Sequence, residues 1–154
     1  MAAKSRTLDR LAGKLIRAAA RARQKAVAPY SKFQVGAALL TRSGDVVTGA
    51  NVESASYGLT CCAERVALFN ALTAGHRYFT AIAVVAKVPG GPLPCGACRQ
   101  LLAEYASEAN VFVADSRALT IIRAFTVEGL LPGAFRGDVL PAVQRCDPQP
   151  KRRP

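Results

Sequence analysis

The chain has 154 residues, 51% of them apolar, and a formal net charge of +11. That length suits one domain with a proper core and is too short for two. No uninterrupted apolar run of about eighteen residues occurs, which excludes a membrane-spanning helix, and the basic N-terminus lacks the apolar block of a secretory signal. The charge is concentrated at the two ends. Residues 1–25 carry eight Lys/Arg against Asp9 alone, residues 145–154 carry four against Asp147, and everything between contributes only +1. A solvated basic face and a charged tail account for this excess without nucleic acid. The expected compartment is the cytoplasm, where five cysteines serve as metal ligands or free thiols rather than disulfides.

From Thr7 to about Ala28 the pattern is helical. Leu8, Leu11, Leu15, Ala18 and Ala22 recur at helix spacing, with Arg10, Lys14, Arg17 and Arg21 on another face. The apolar stripe fades into alanine, so it suits packing on the domain's own sheet better than a membrane surface. Pro29 is expected to stop this helix. Gln34–Thr41 and Val46–Val52 read as a hairpin turning at Ser43-Gly44-Asp45. Cys62–Ala74 reads as a helix ended by Gly75, and Phe79–Lys87 as a strand covered on both faces. A second cysteine-bearing helix is expected from Cys95 to about Ser107, followed by strands Val111–Asp115 and Thr120–Val127. Residues 1–145 thus form a single domain, with 146–154 a basic tail expected to be disordered. The order αββαβαββ predicts a five-stranded mixed sheet in a three-layer α/β/α sandwich.

The chemistry is concentrated in Thr60-Cys61-Cys62-Ala63-Glu64-Arg65 and Pro94-Cys95-Gly96-Ala97-Cys98-Arg99-Gln100. Cys62, Cys95 and Cys98 fall where helices begin, where unpaired N–H groups favour thiolate. A zinc ion held by three protein ligands keeps a fourth position open for water, the layout of a hydrolytic site. Glu64, beside those ligands, is the candidate catalytic proton carrier. Arg65 is the candidate neutraliser of the charge that three thiolates bring. A structural site built from Cys61, Cys62, Cys95 and Cys98 is the competing arrangement, though adjacent cysteines seldom both ligate one tetrahedral ion. Cys61 is better read as a small buried apolar side chain.

Cys-Ala-Glu followed by Pro-Cys-x-x-Cys is the zinc-deaminase pattern, with cysteine where many relatives carry histidine. Over roughly residues 25–142 the chain resembles the small nucleoside cytidine deaminases. Besides the zinc motifs, the resemblance rests on Ala28-Pro29-Tyr30-Ser31-Lys32-Phe33, on Val35-Gly36-Ala37-Ala38, on Asn51 through Thr60, and on Leu130-Leu131-Pro132-Gly133-Ala134-Phe135. It implies one Zn²⁺ per subunit and hydrolytic deamination of free cytidine and 2'-deoxycytidine, with Glu64 as proton shuttle. It also implies that Asn51 and Glu53 hold the ribose hydroxyls, that Phe33 packs in the same pocket, and that the Ala63 backbone contacts the base. Ala55, Tyr57 and Phe135 would reach a neighbouring subunit's site within a homotetramer. Ser54, where the family commonly has asparagine, and the Cys61-Cys62 doublet are departures from the pattern.

Two other functions fit parts of the sequence. One is deamination of a different cytosine-bearing small molecule, such as a nucleoside antibiotic; Glu53, suited to a ribose hydroxyl, argues against it. The other, suggested only by the charged ends, is an RNA-acting deaminase or an RNA-binding zinc module. Nucleosides rather than nucleotides are expected, because no arginine cluster accompanies the substrate motifs.

Overall fold

The computed structural model describes residues 2–135, with the backbone alone for residues 2–8. The expected tail 146–154, with Cys146, lies outside the described residues. Helix α1 (Ala2–Arg23) is followed by strands β1 (Val35–Thr41) and β2 (Val46–Ala50), then helix α2 (Ala63–Thr73) and strand β3 (Phe79–Ala86). Helix α3 (Gly96–Tyr105) leads to β4 (Asn110–Asp115), β5 (Arg123–Thr126) and a short α4 (Val127–Leu130). The strands form one sheet in the order β2-β1-β3-β4-β5. Only β3 and β4 run parallel, as a pair joined through a crossover helix must.

Side-chain alternation along the strands assigns the layers. Ala38, Leu40, Ala81, Ala83, Val85, Phe112 and Ala114 share one face with Ala12, Leu15, Ile16 and Ala19 of α1. Ala37, Leu39, Ile82, Val84, Val111 and Val113 share the other with Ala67, Leu68 and Ala71 of α2 and Leu102 of α3. The result is a three-layer α/β/α sandwich, and β3 at its centre is buried on both faces. Ala12, Leu15, Ala18 and Ala22 of the basic helix all point into the molecule.

Helix and sheet approach closely at two glycines. A Cβ on Gly36 would stand 2.1 Å from the carbonyl oxygen of Ala19 and 2.4 Å from the Arg23 nitrogen. A Cβ on Gly49 would stand 2.4 Å from the Ala67 nitrogen and 2.5 Å from the Ala63 oxygen. No side chain fits at either crossing, so backbone rests on backbone. The second crossing seats the start of α2 against β2, and that helix end carries the site.

The first helix ends at Arg23 rather than near Ala28, so Pro29 does not terminate it. Arg23 Nε donates to the Gln34 carbonyl at 3.0 Å, turning the chain back towards β1. Val27 then pairs with Val52: its N–H donates to the Asn51 oxygen at 2.9 Å, and its carbonyl accepts from Glu53 N–H at 2.8 Å. Strand β2 stops at Ala50, beyond which Val52 bridges Val27 and Cys61. Strand β5 is shorter than expected because the Thr126 hydroxyl accepts from Gly129 N–H and starts α4.

Candidate active site

Cys62 is the N-cap of α2 and Cys95 the N-cap of α3, with Cys98 in the first turn of α3. Neither cap uses its side chain to bond the helix, which leaves both sulfurs free to turn towards each other. The Cys62 and Cys95 sulfurs are 3.9 Å apart, and all three Sγ atoms lie within 4.8 Å of one another. Thiolates on one tetrahedral zinc at about 2.3 Å sit about 3.8 Å from each other, so the spacing and donor set fit that ion. Cys61, whose backbone pairs with Val52, is outside the cluster. Among the described residues the cluster therefore has three ligands and not four.

Neighbouring groups shift the protonation of Cys62 and Cys98. Hydrogen bonds from Cys98, Arg65 and Cys95 hold the Cys62 thiol down to about 5. Its contact with Cys62, together with burial, pushes the Cys98 thiol up. Burial pushes Cys61 up, as suits an inert thiol.

Glu64 stands in the first turn of α2 and is only 6% exposed. Burial, aided by the charge on Cys62, pushes its carboxyl up to about 7, against hydrogen bonds from its own N–H and from Cys98. Arg65 follows it. One guanidinium nitrogen donates to the Thr60 carbonyl at 2.6 Å and to the Cys62 sulfur at 3.6 Å, while Nε is buried without a partner. A cation is thereby fixed against the Cys62 sulfur.

The other expected residues divide into two groups. Asn51 is buried and spends its amide on the chain itself: Oδ1 accepts from Val35 N–H at 2.8 Å, and Nδ2 donates to the Phe33 carbonyl at 2.9 Å. Glu53 lines a pocket of about 420 Å³ with Tyr30, Ser31, Ser54, Tyr57 and Thr60. The Tyr30 and Tyr57 rings meet edge to face at 6.4 Å there. Ala63 is fully buried at the start of α2. Phe33, Ala55, Tyr57 and Phe135, in contrast, face outward, Tyr57 being 78% and Phe135 61% exposed. The Phe135 carbonyl accepts from Gln100 Nε2 at 2.7 Å, which ties this segment to α3.

Two contributors escaped the sequence reading. Arg99 donates to the Pro94 carbonyl at 2.7 Å and to the Leu130 carbonyl at 3.2 Å, bracing the turn that presents Cys95. An arginine after a cysteine looks like a solvated helix face, so nothing in its spacing reveals this. The Ser31 hydroxyl bonds Glu53, a contact across 22 residues that only the fold creates. A separate cavity of about 570 Å³, between α1 and the β4–β5 side of the sheet, contains none of these residues.

With this geometry in view, residues 10–114 match the family model described as "Cytidine and deoxycytidylate deaminase zinc-binding region". The cytidine deaminase of Halalkalibacterium halodurans is 51% identical over 125 residues, 80% of this chain and 93% of that protein. That of Sporosarcina psychrophila is 47% identical over 123 residues, covering 79% and 89%. The crystal structure of cytidine deaminase from Burkholderia pseudomallei superposes with a TM-score of 0.76 at 51% identity, covering 79% of this chain and 97% of that one.

Proposed function

This chain belongs to the cytidine deaminase family, and we propose on that premise that it converts free cytidine and 2'-deoxycytidine to uridine and 2'-deoxyuridine with release of ammonia. It is a zinc-dependent hydrolase whose cofactor would be held by Cys62, Cys95 and Cys98. The observation that carries the reading is the buried carboxyl of Glu64 in the first turn of the helix capped by Cys62, one of the three gathered sulfurs.

Zinc, when bound, supplies the Lewis acidity that makes water nucleophilic near neutral pH. Glu64 does the proton work. Its carboxylate takes a proton from the attacking water, delivers it to N3 of the pyrimidine, and assists protonation of the departing amine, which is a poor leaving group otherwise. Burial aids this by bringing the carboxyl near the working pH. Arg65 offsets thiolate charge through its bond to Cys62, and the N-terminal ends of α2 and α3 add their partial positive charge. Without that compensation three thiolates would leave the metal a poor Lewis acid.

On the substrate side, Glu53 accepts from a sugar hydroxyl at its pocket, and Asn51, whose amide ties Phe33 and Val35 together, assists through the hydrogen-bonding capacity left on that amide. Ala63 contacts the base through its backbone. Phe33 packs beside the sugar, and Ala55, Tyr57 and Phe135 complete the site of a neighbouring subunit in a homotetramer. The outward exposure of Val27 and Val52, which pair with each other, and of Tyr57, Leu59 and Phe135 supports such association, since association would take these large apolar groups out of water. No described helix is long and apolar enough to cross a membrane. A cytoplasmic location suits a site that needs reduced thiols.

The test is direct. Zinc-replete protein should convert cytidine to uridine with stoichiometric ammonia and should turn over CMP far more slowly. Glu64→Ala should lose about 10²–10⁴-fold in kcat while keeping its zinc. Wild-type protein that carries one zinc per subunit yet leaves cytidine untouched would refute the proposal.

A further inference from the structure

The Glu53 carboxylate is fully occupied on one side by a single short loop. Its Oε2 accepts the N–H groups of Tyr30 at 3.0 Å and of Ser31 at 3.1 Å, while Oε1 accepts the Ser31 hydroxyl. The same hydroxyl oxygen accepts the Phe33 N–H at 2.9 Å. Ser31 is therefore oriented from both ends, as acceptor from the backbone and donor to the acid. Each carboxylate oxygen offers two lone pairs. Both on Oε2 are used, and one on Oε1 is used. A single acceptor direction remains, on Oε1, at the wall of the pocket shared with Tyr57 and Thr60.

We propose that Ser31 is a positioning residue for substrate recognition: by locking Oε1 of Glu53 it fixes the one lone pair left for a sugar hydroxyl. The inference rests on the reading that Glu53 receives such a hydroxyl, and extends it to a residue that acts through Glu53. The Tyr30 and Ser31 amides hold Glu53 in place, but they grip Oε2 alone. Only the serine hydroxyl constrains Oε1. Without it the carboxylate keeps its pocket but is held at Oε2 alone and can pivot about that point, so the hydroxyl must order it on binding. That cost falls on substrate association and not on the proton transfers at Glu64. It also falls only on substrates that own the hydroxyl.

The experiment compares cytidine with 2',3'-dideoxycytidine on the zinc-loaded full chain, for wild type, Ser31→Ala, Ser31→Thr, Glu53→Gln and the Ser31→Ala/Glu53→Gln pair. Ser31→Ala should raise KM for cytidine about tenfold, the scale of one hydrogen bond to a charged group, with kcat within about twofold. Its kcat/KM for dideoxycytidine should be unchanged, Ser31→Thr should restore wild-type KM, and the pair should cost no more than Glu53→Gln alone. Equal losses on both nucleosides, a fall in kcat at constant KM, additive effects in the pair, or failure of threonine to rescue would each overturn the proposal. Wild-type enzyme indifferent to the missing hydroxyls would overturn it together with the role of Glu53, while turnover of cytidine would leave the deaminase reading standing.

Discussion

Arg65 holds the sulfur of Cys62 at 3.6 Å through one guanidinium nitrogen, while its Nε lies buried with no partner of its own. Burying an unpaired donor costs about 1–3 kcal/mol, so this side chain sits where folding alone would not put it. The compensation is electrostatic: a permanent cation against a thiolate. Arg65→Ala should therefore weaken zinc affinity by about 10–100-fold, the usual cost of losing a group that orients a metal ligand. Competition with a chromogenic chelator measures it. Unchanged affinity, with unchanged kcat, would remove Arg65 from the site's chemistry.

Glu64 trades stability for its position. In metal-free protein burial raises its carboxyl to about 7 from an unfolded value of 4.5. The folded state then binds more protons than the unfolded state between those values, so stability falls as pH rises through that window. The full difference is of order 3 kcal/mol. Glu64→Gln keeps the shape and cannot ionise. Chelator-treated Glu64→Gln should therefore be more stable than chelator-treated wild type at pH 8, by up to that amount, and equally stable at pH 4.5. Thermal unfolding at the two pH values tests it, and a parallel pH dependence in both proteins would contradict it. Reloaded with zinc, the variant should remain about 10²–10⁴-fold slower than wild type.

The metal cluster was legible in the sequence because it depends on local spacing. Cys62 and Cys95 each precede a helix, and Cys98 lies one turn into the second, so each helix start presents its own sulfurs and the fold has only to bring two helix ends together. The central strand was legible for a similar reason, since seven of the eight residues from Phe79 to Ala86 are apolar, Thr80 excepted, which suits a strand buried on both faces. The end of α1 was not. Residues Gln24–Ala28 have helix-compatible composition, and what stops the helix at Arg23 is the pairing of Val27 with Val52, set 25 residues further on. The partners of Asn51 and Glu53 were hidden in the same way. Their polar character suggested a ligand, but their bonds to residues 30–35 arise only when the β1–β2 hairpin folds back over that loop.

Cys61 tests the three-ligand site against the four-cysteine alternative. Its sulfur is outside the cluster, and burial disfavours its thiolate. Cys61→Ala should keep one zinc per subunit and wild-type turnover, whereas Cys98→Ala should lose the metal. Loss of zinc from Cys61→Ala, measured by elemental analysis, would restore the structural reading.

Gly49 couples the sheet to the helix that carries Cys62 and Glu64. A methyl group there meets the backbone of Ala67 at 2.4 Å and of Ala63 at 2.5 Å, and backbone cannot rotate aside as a side chain can. Gly49→Ala must push α2 away from β2. Overpacking of this kind costs about 1–3 kcal/mol, and displacement of the α2 end should lower kcat beyond any loss of folded protein. Gly58→Ala is the control, because a Cβ at Gly58 has nothing within 4 Å. Thermal melts and kcat corrected for zinc content should separate the two variants. Similar behaviour in both would mean the crossing does not position the site.

Lys32 is the one described non-glycine residue with positive φ, at 57°, in the loop that grips Glu53. A left-handed lysine costs about 1–2 kcal/mol, partly offset by its ammonium group, which donates to the Pro29 carbonyl at 2.6 Å. That conformation folds residues 29–33 tightly enough for the amides of Tyr30 and Ser31 to converge on one carboxylate oxygen. Lys32→Gly should keep the loop, because glycine adopts this φ freely, and should leave KM for cytidine within about twofold. Lys32→Val should open it, because a β-branched residue resists positive φ, and should raise KM about as much as loss of the Ser31 hydroxyl does. The two variants remove the same charge and the same bond to Pro29, so a difference between them isolates backbone conformation. If both raise KM equally, the ammonium contact rather than the φ angle holds the loop.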